Sequence, residues 1–212
     1  MKVVVIDYGM GNLFSVRRAL EVSGAADIEV TADPSRLELA DRVVLPGVGA
    51  FVEGMAGLTA GGFVPAIHDY VASGKPLLGI CLGMQMLMET SEEYGLTPGL
   101  GLIPGKVRAI TRMRPDGTRR KLPSIGWAPL RPAGVHGWAG SVLADMQPNV
   151  PMYFLHSFHA EPEQAQHMLA DYEYDGLPVT AAVRRGNVTG TQFHPEKSGP
   201  SGLAILRAFL EA

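Results

Sequence analysis

Cysteine is nearly absent from the chain: a single residue, Cys81, stands among 212. One cysteine excludes an internal disulfide, and it also excludes a metal site built on several thiolates. An unpaired thiol is most stable in a reducing compartment, so we expect a cytoplasmic protein. The chain must therefore either pack this thiol as a small apolar group or use it in chemistry.

Long apolar runs and an excess of charge of one sign are also missing. No segment is apolar for long enough to cross a bilayer, and the start of the chain becomes acidic too soon for a secretory signal. Lysine and arginine number 18 against 21 aspartate and glutamate residues, which gives a formal charge of -3. Such a balance provides no global field for a polyanion, so we expect neither nucleic acid nor a membrane as a partner.

One local basic segment interrupts this balance, around a turn at residues 115–117. Aromatic side chains, which stack on bases in many nucleic-acid sites, are not interleaved with it. We expect a solvated hairpin whose basic residues are Arg112, Arg114, Arg119, Arg120 and Lys121.

Nucleotide-binding signatures fail on inspection. The pairs Gly9-x-Gly11 and Gly47-x-Gly49 both lack the third glycine of a dinucleotide fingerprint, and Gly74-Lys75 is followed by proline where a P-loop needs serine or threonine.

Strands alternate with helices over the first half of the chain. This alternation predicts an α/β fold, a doubly wound three-layer sandwich with a mostly parallel sheet, and the length fits one domain over residues 1–212. From about Glu89 onwards, hairpin signals predict antiparallel strands added to that sheet. The predicted strands are residues 2–7, 27–32, 41–45, 75–80, 106–113, 168–174, 179–184 and 188–193, and the predicted helices are 13–23, 63–72, 84–88 and 201–210.

Cys81 lies between two glycines in the segment Gly79-Ile80-Cys81-Leu82-Gly83, after an apolar run and before a helix-like stretch. Small residues on both sides are typical of a tight strand-to-helix turn that exposes a nucleophile. The dipole of the following helix favours an anion there, so the pattern predicts a reactive thiol.

A thiol nucleophile needs a base, and the base needs an orienting partner. The tripeptide His194-Pro195-Glu196 offers both. If residues 192–196 end a strand, side chains two apart project to the same side, so the imidazole and the carboxylate can pair. We expect the other histidines to be packed or surface imidazoles: His68, His136, His156, His159 and His167.

With the thiol turn, the His-Pro-Glu tripeptide and a Pro-Gly-Val-Gly loop at residues 46–49, the chain resembles the class I glutamine amidotransferases of the triad type, essentially from end to end. Four motifs in order are similar to those of the glutaminase subunits of imidazole glycerol phosphate synthases, which act in histidine biosynthesis. They are Asp7-Tyr8-Gly9-Met10-Gly11-Asn12, Leu45-Pro46-Gly47-Val48-Gly49-Ala50-Phe51, Gly79-Ile80-Cys81-Leu82-Gly83-Met84-Gln85 and Gln192-Phe193-His194-Pro195-Glu196-Lys197-Ser198.

The resemblance implies hydrolysis of glutamine through a thioester on Cys81, with His194 as general base and then acid and Glu196 as its orienting partner. It also implies roles for residues around this triad. The amides of Val48, Gly49 and Leu82 would stabilise the oxyanion, and Gln85 with the backbone around Ser157 and Phe158 would hold the amino-acid head of glutamine.

The resemblance further implies a partner and no cofactor or metal. The ammonia would pass to a cyclase subunit, a (β/α)₈ barrel that forms a heterodimer with this chain and makes imidazole glycerol phosphate and aminoimidazole carboxamide ribotide. Asn12, Trp127 and Lys197 would face that cyclase.

Three alternatives stay open at this level. The nearest is the glutaminase subunit of another class I amidotransferase, in anthranilate or pyridoxal phosphate synthesis. A cysteine hydrolase of the α/β-hydrolase type shares the thiol turn, but its acid would precede the histidine in sequence, whereas Glu196 follows His194. A non-catalytic subunit that has kept the fold is the third.

Overall fold

The computed structural model of the protein describes residues 1–114, 116–134 and 137–212; Pro115 of the basic hairpin and His136 lie outside the described residues. Within this part of the chain the structure has fourteen strands and five α-helices, together with 3-10 helices at Pro34–Leu37, Ala165–His167 and Pro195–Lys197. In chain order they are β1 (Lys2–Ile6), α1 (Leu13–Val22), β2 (Asp27–Thr31), β3 (Arg42–Leu45), α2 (Phe51–Ala60), α3 (Phe63–Ala72), β4 (Leu77–Ile80), α4 (Leu82–Met86), β5 (Met88–Ser91), β6 (Thr97–Pro98), β7 (Ile103–Ala109), β8 (Ser124–Pro129), β9 (Arg131–Pro132), β10 (Pro151–His156), β11 (Phe158–Pro162), β12 (Met168–Tyr174), β13 (Leu177–Arg185), β14 (Val188–Thr191) and α5 (Gly199–Glu211).

Eight strands form the central sheet, in the order β2-β1-β3-β4-β14-β13-β12-β9. The first five run parallel to one another. The last three are added antiparallel, one beside the next. The predicted fold class, a mostly parallel sheet extended by antiparallel strands, is confirmed.

Helices cover both faces of this sheet, and β1 shows how the sequence encodes this. Successive side chains of a strand point to opposite faces. Val3 and Val5 pack into the core shared with α1 and α5, while Val4 and Ile6 pack into the core shared with α2 and α3. Because both faces are buried, the strand is an uninterrupted apolar run.

The expectation of one extended sheet is only partly correct. β12 and β13 join the central sheet, but β7 belongs to a separate four-stranded sheet of order β11-β7-β5-β6, and β8 pairs with β10 alone. The predicted strand 106–113 is Ile103–Ala109, and the predicted helix 84–88 is Leu82–Met86 because Met88 already begins β5. Local patterns indicate strands, but they do not reveal which distant strand is the partner.

The basic hairpin contains a buried arginine, so the expectation that all its basic residues are solvated is wrong for Arg120. Its side chain is 6% exposed, and its guanidinium donates hydrogen bonds to the carbonyl oxygens of Thr111, Met113 and Asp175. Arginine carries enough donors to satisfy several buried carbonyls at once.

Three loops that begin at the carboxyl ends of neighbouring strands converge at one edge of the central sheet. β3 leads into residues 46–49, β4 into Cys81, and β14 into His194. Open parallel sheets bind ligands at this edge. Among the described residues, the helices are all too short or too polar to traverse a lipid bilayer.

Candidate active site

Cys81 forms the turn from β4 into α4, with φ 55° and ψ -109°. This left-handed conformation is uncommon for a residue with a side chain, and such strain is concentrated at functional sites. A Cβ added to Gly83 would lie 1.8 Å from the carbonyl oxygen of Leu45, and one added to Gly79 would lie 2.8 Å from the carbonyl of Gly83. The turn therefore requires glycine on both sides of the cysteine.

His194 and Glu196 form a buried pair next to this turn. Nδ1 of His194 lies 2.8 Å from Oε1 of Glu196, and the two side chains are 4% and 1% exposed. The condition considered for this pairing, a strand that ends at residues 192–196, is not met, because β14 ends at Thr191 and Pro195–Lys197 is a 3-10 helix. The helical turn, and not the alternation of a strand, brings the carboxylate back to the ring.

The charge state of His194 is set by its two partners. Burial alone lowers its pKa, but the interactions with Cys81 and Glu196 together outweigh burial and raise the pKa to about 10. The ring is therefore cationic at neutral pH. Since Nδ1 is held by Glu196, Nε2 is the nitrogen that remains for the thiol, and a neighbouring cation favours the nucleophilic thiolate.

The sulfur lies at a cleft of about 290 Å³. Three of the twelve site residues predicted from the sequence do not line this cleft. Glu196 lies behind His194, Asn12 caps α1 by accepting from the Ser15 amide, and Trp127 is exposed on β8. The other nine line the cleft: Val48, Gly49, Cys81, Leu82, Gln85, Ser157, Phe158, His194 and Lys197.

The predicted oxyanion donors differ in how available they are. The amide of Leu82 donates to the carbonyl oxygen of Gly47 at 3.4 Å, a long and therefore weak bond. Val48 and Gly49 lie against the cleft, and Gly49 has φ 104°. In this conformation the Leu82 donor is directed at a carbonyl, so it must exchange that partner before it can bind an oxyanion. The oxyanion role of these three residues stays a prediction.

A family model for class-I glutamine amidotransferases matches residues 4–212 of the chain. The chain belongs to the class-I glutamine amidotransferase family. The resemblance inferred from the four sequence motifs is confirmed at this level. Family membership also removes the α/β-hydrolase alternative.

Curated relatives of this glutamine amidotransferase carry a more specific name. A Legionella pneumophila (strain Lens) protein named imidazole glycerol phosphate synthase subunit HisH 1 is 45% identical over 210 residues, which cover 99% of this chain and 98% of that protein. A Halobacterium salinarum protein named imidazole glycerol phosphate synthase subunit HisH is 46% identical over 215 residues, covering 99% of this chain and 92% of that protein.

Solved structures share the architecture of this amidotransferase. PurLQS from Thermotoga maritima superposes with a TM-score of 0.74 at 19% identity, covering 99% of this chain and 97% of that chain. A crystal structure of a glutamine amidotransferase gives a TM-score of 0.72 at 20% identity, covering 98% of this chain and 97% of that chain. At such identities the likeness concerns the fold alone.

Two polar residues of this amidotransferase site had no role predicted from the sequence. Nε2 of Gln192, a fully buried residue, lies 3.6 Å from the Cys81 sulfur. Glu93 lines the cleft, and its carboxylate accepts a hydrogen bond of 2.8 Å from the Phe51 amide at the start of α2. Gln192 opens the motif that contains His194, which could have drawn attention to it, whereas no local pattern marks Glu93.

The remaining described histidines have the packed or surface positions expected of them. His156, His159 and His167 are buried, and His68 is exposed on α3. Burial lowers the pKa of the three buried rings. His156 is the one among them that lines the cleft.

Proposed function

We propose that the protein is the glutaminase subunit of an imidazole glycerol phosphate synthase, with residues 1–212 as one glutamine amidotransferase domain. It hydrolyses glutamine to glutamate and ammonia and delivers the ammonia to a cyclase subunit, a (β/α)₈ barrel that makes imidazole glycerol phosphate and aminoimidazole carboxamide ribotide. The observation that carries the proposal is the meeting of Cys81 with the His194–Glu196 pair at one cleft. The names of relatives about 45% identical over nearly the whole chain give the pathway.

The first half of the reaction forms a thioester. The Cys81 thiolate attacks the side-chain carbonyl carbon of glutamine, and the carbonyl electrons move onto oxygen. The cationic His194 then gives its Nε2 proton to the amide nitrogen, so that ammonia leaves as the carbonyl re-forms. Glu196 holds the ring through Nδ1 and stabilises its positive charge.

The second half returns the enzyme to its starting state. His194, now neutral, takes a proton from water, and the hydroxide adds to the thioester carbonyl. Collapse of the tetrahedral intermediate breaks the carbon–sulfur bond, which releases glutamate and restores the Cys81 thiolate beside a cationic His194. The amides of Val48, Gly49 and Leu82 stabilise the oxyanion in both halves of this proposal.

The cleft supports one orientation for the amino-acid head of glutamine. Nε2 of Gln85 is occupied by two internal hydrogen bonds, so Gln85 has an oxygen to offer to a ligand. Glu93 is the carboxylate among the described residues that line the cleft. Both groups suit the α-ammonium of glutamine, which leaves its carboxylate for the backbone around Ser157 and Phe158.

Exposed apolar side chains beside the cleft support the cyclase as a heterodimer partner. Ile125, Trp127 and Leu155 are 58%, 57% and 38% exposed. Ile125 pairs directly with Leu155 across β8 and β10, and Trp127 lies two residues further along the same face. A contiguous exposed apolar surface is typical of a protein interface. We place Asn12 and Lys197 in that interface as well.

Reconstitution with a cyclase tests this proposal. The Cys81→Ala protein should lose synthesis from glutamine and keep synthesis from added ammonium, because the thiol serves only to release ammonia. Glutamine turnover by the isolated wild-type chain should be low and should rise when the cyclase and its ribotide are added.

Two outcomes would contradict the proposal. One is glutamine turnover by the Cys81→Ala protein, which would remove the thiol from the mechanism. The other is activation by a synthase subunit of anthranilate or pyridoxal phosphate synthesis with no response to the cyclase, which would move the protein to a different pathway.

A further inference from the structure

The side-chain amide of Gln192 lies between the nucleophile and the residue proposed to hold glutamine. Its Nε2 is 3.6 Å from the Cys81 sulfur, and its Oε1 accepts a hydrogen bond of 3.0 Å from Nε2 of Gln85. Gln192 is fully buried and does not belong to the described lining of the cleft. It therefore acts on the reaction only through its two neighbours.

The side-chain amides of Gln85 and Gln192 are oriented by the carbonyl oxygen of Phe158, which can only accept a hydrogen bond. Nε2 of Gln85 also donates to the carbonyl oxygen of Phe158, at 2.9 Å. Gln85 must therefore turn its NH₂ group towards Phe158, and its second N–H meets the oxygen of Gln192. As a result, Gln192 presents an N–H donor to the sulfur of Cys81.

A buried histidine extends this chain of hydrogen bonds. The Phe158 carbonyl lies 2.8 Å from Nδ1 of His156, and Nε2 of that ring lies 2.8 Å from the hydroxyl of Tyr172. Nδ1 must carry the hydrogen, so Nε2 accepts from Tyr172, whose oxygen lies 3.0 Å from the Ser124 hydroxyl. Burial lowers the pKa of His156 to about 3, which keeps the ring neutral and preserves the direction of each bond.

The sulfur has two polar neighbours with opposite preferences besides His194. The N–H of Gln192 favours a thiolate, because it donates to the charged form. The carbonyl oxygen of Leu155, 3.9 Å from the sulfur, favours a protonated thiol that can donate to it. Without the Gln192 donor, the Leu155 carbonyl would be the remaining one of these two neighbours, and it favours the protonated thiol.

We propose that Gln192 is a positioning residue that holds the Cys81 sulfur, as a thiolate, next to His194. Its orientation is set through Gln85 by the Phe158 carbonyl, which is held from behind by His156 and Tyr172. The inference rests on the proposed function in one respect: the thiolate is taken to attack the side-chain carbonyl of glutamine. The reactivity of the thiol can be measured without glutamine and without a cyclase.

Alkylation by iodoacetamide reports on Cys81 directly, since the chain contains no other cysteine. Gln192→Glu keeps the size of the side chain but removes the donor, so alkylation at pH 7 should slow by about 10- to 100-fold. Thr189→Val, also buried on β14 but away from the sulfur, should react like the wild type. In glutamine turnover, Gln192→Glu should lower kcat and leave KM within about twofold, because Gln192 does not line the cleft.

Tyr172→Phe tests the chain of hydrogen bonds without touching the sulfur. Removing its hydroxyl frees the His156 ring that holds the Phe158 carbonyl, the acceptor that orients Gln85 and Gln192. Alkylation should therefore slow by about 3- to 10-fold. This variant also provides the test if Gln192→Glu does not fold in urea-denaturation experiments. Alkylation at the wild-type rate in the folded variants would overturn the proposal. Slowed alkylation of the variants, together with a wild type that does not hydrolyse glutamine, would contradict the proposed function and leave this inference standing.

Discussion

The carboxylate of Glu196 lies 2.8 Å from Nδ1 of His194, while the carboxylate of Glu161 lies 3.8 Å from Nε2 of His159. Both pairs are two residues apart in sequence, but only the first is sealed from solvent, with Glu196 1% exposed against 41% for Glu161. The same residue types at the same spacing therefore form a close buried pair in one place and a longer, partly exposed pair in the other. Burial makes the first pair strong, since solvent screens exposed charges.

We predict that Glu196→Gln lowers kcat for glutamine by about 10²- to 10⁴-fold, because the ring loses the charge that orients and stabilises it. Since Glu196 raises the pKa of His194, its loss should also move the alkaline limb of the pH–rate profile to lower pH. Steady-state kinetics across pH measure both effects. Glu161→Gln serves as the matched control and should match the wild type; an equal loss in the control would argue against a special role for Glu196.

Tyr8 holds the loop that covers the cleft. Its hydroxyl donates to the Pro46 carbonyl at 2.9 Å and so favours the arrangement in which the next residue, Gly47, accepts from the Leu82 amide. We predict that Tyr8→Phe raises glutamine turnover by the isolated chain by about 3- to 10-fold, the effect of one lost hydrogen bond. Turnover without a cyclase is the measurement.

Tyr70→Phe is the control for this prediction. Tyr70 is a buried tyrosine whose hydroxyl donates to the Pro76 carbonyl at 3.0 Å, before β4 and away from the cleft. Its loss should lower the free energy of unfolding by about 1 kcal/mol without changing turnover. Unchanged or reduced turnover in Tyr8→Phe would show that the loop is not restrained by this bond.

Trp127 is predicted to be an anchor of the cyclase interface. Trp127→Ala should weaken the complex by at least about 10-fold in Kd, because exposed tryptophans at interfaces often dominate binding. The fold should be unaffected, since the side chain is 57% exposed. Calorimetric titration with the cyclase checks this, and Leu39→Ala, equally exposed but before β3, is the control. Equal affinities for both variants would place the interface elsewhere.

The buried His156 should make stability sensitive to mild acid. Its pKa is lowered to about 3 in the folded protein, while an unfolded histidine titrates near its ordinary value. As pH falls from 7 to 5 the unfolded chain binds a proton that the folded chain rejects, so the free energy of unfolding should drop by about 2 kcal/mol from this residue. The contribution of His156 to the free energy of unfolding is present above the pKa of the unfolded histidine and is lost as the pH falls below it.

Urea denaturation at pH 7 and pH 5 measures this effect as a difference between proteins, which cancels the other titrating groups. His156→Gln should be less stable at pH 7 and show a flatter dependence on pH. His68→Gln, at an exposed position on α3, should keep the wild-type dependence. A His156→Gln protein as acid-sensitive as the wild type would contradict the prediction.

The central sheet and the strand-to-helix turn at Cys81 could be predicted because their signals are local. The glycines around Cys81 and the two-residue spacing of His194 and Glu196 lie within short segments, and strands buried on both faces are apolar throughout. The helix α2 was missed because Gly54 and Gly57 lower its helix propensity. A Cβ on Gly57 would lie 2.8 Å from the Tyr8 carbonyl oxygen. Tertiary packing therefore requires glycine at this position, although glycine has a low helix propensity.

The polar chain behind the sulfur could not be predicted for a different reason. Gln85 and Gln192 are 107 residues apart in sequence, and their hydrogen bond exists only once β4 and β14 are paired. Likewise, β7 has β11 as a partner, some 50 residues later, and no local pattern encodes that distance. Local motifs therefore indicate candidate site residues, but they do not indicate the distant neighbours that hold those residues in place.

The solitary thiol has a consequence for oxidative stress. If peroxide converts Cys81 to a sulfenic acid, no second cysteine in the chain can condense with it to form a disulfide. Repair must then come from an external thiol such as glutathione, and further oxidation to the sulfinic acid would be permanent. Peroxide would in this way inactivate the production of ammonia from glutamine, and activity would return only when an external thiol reduces Cys81.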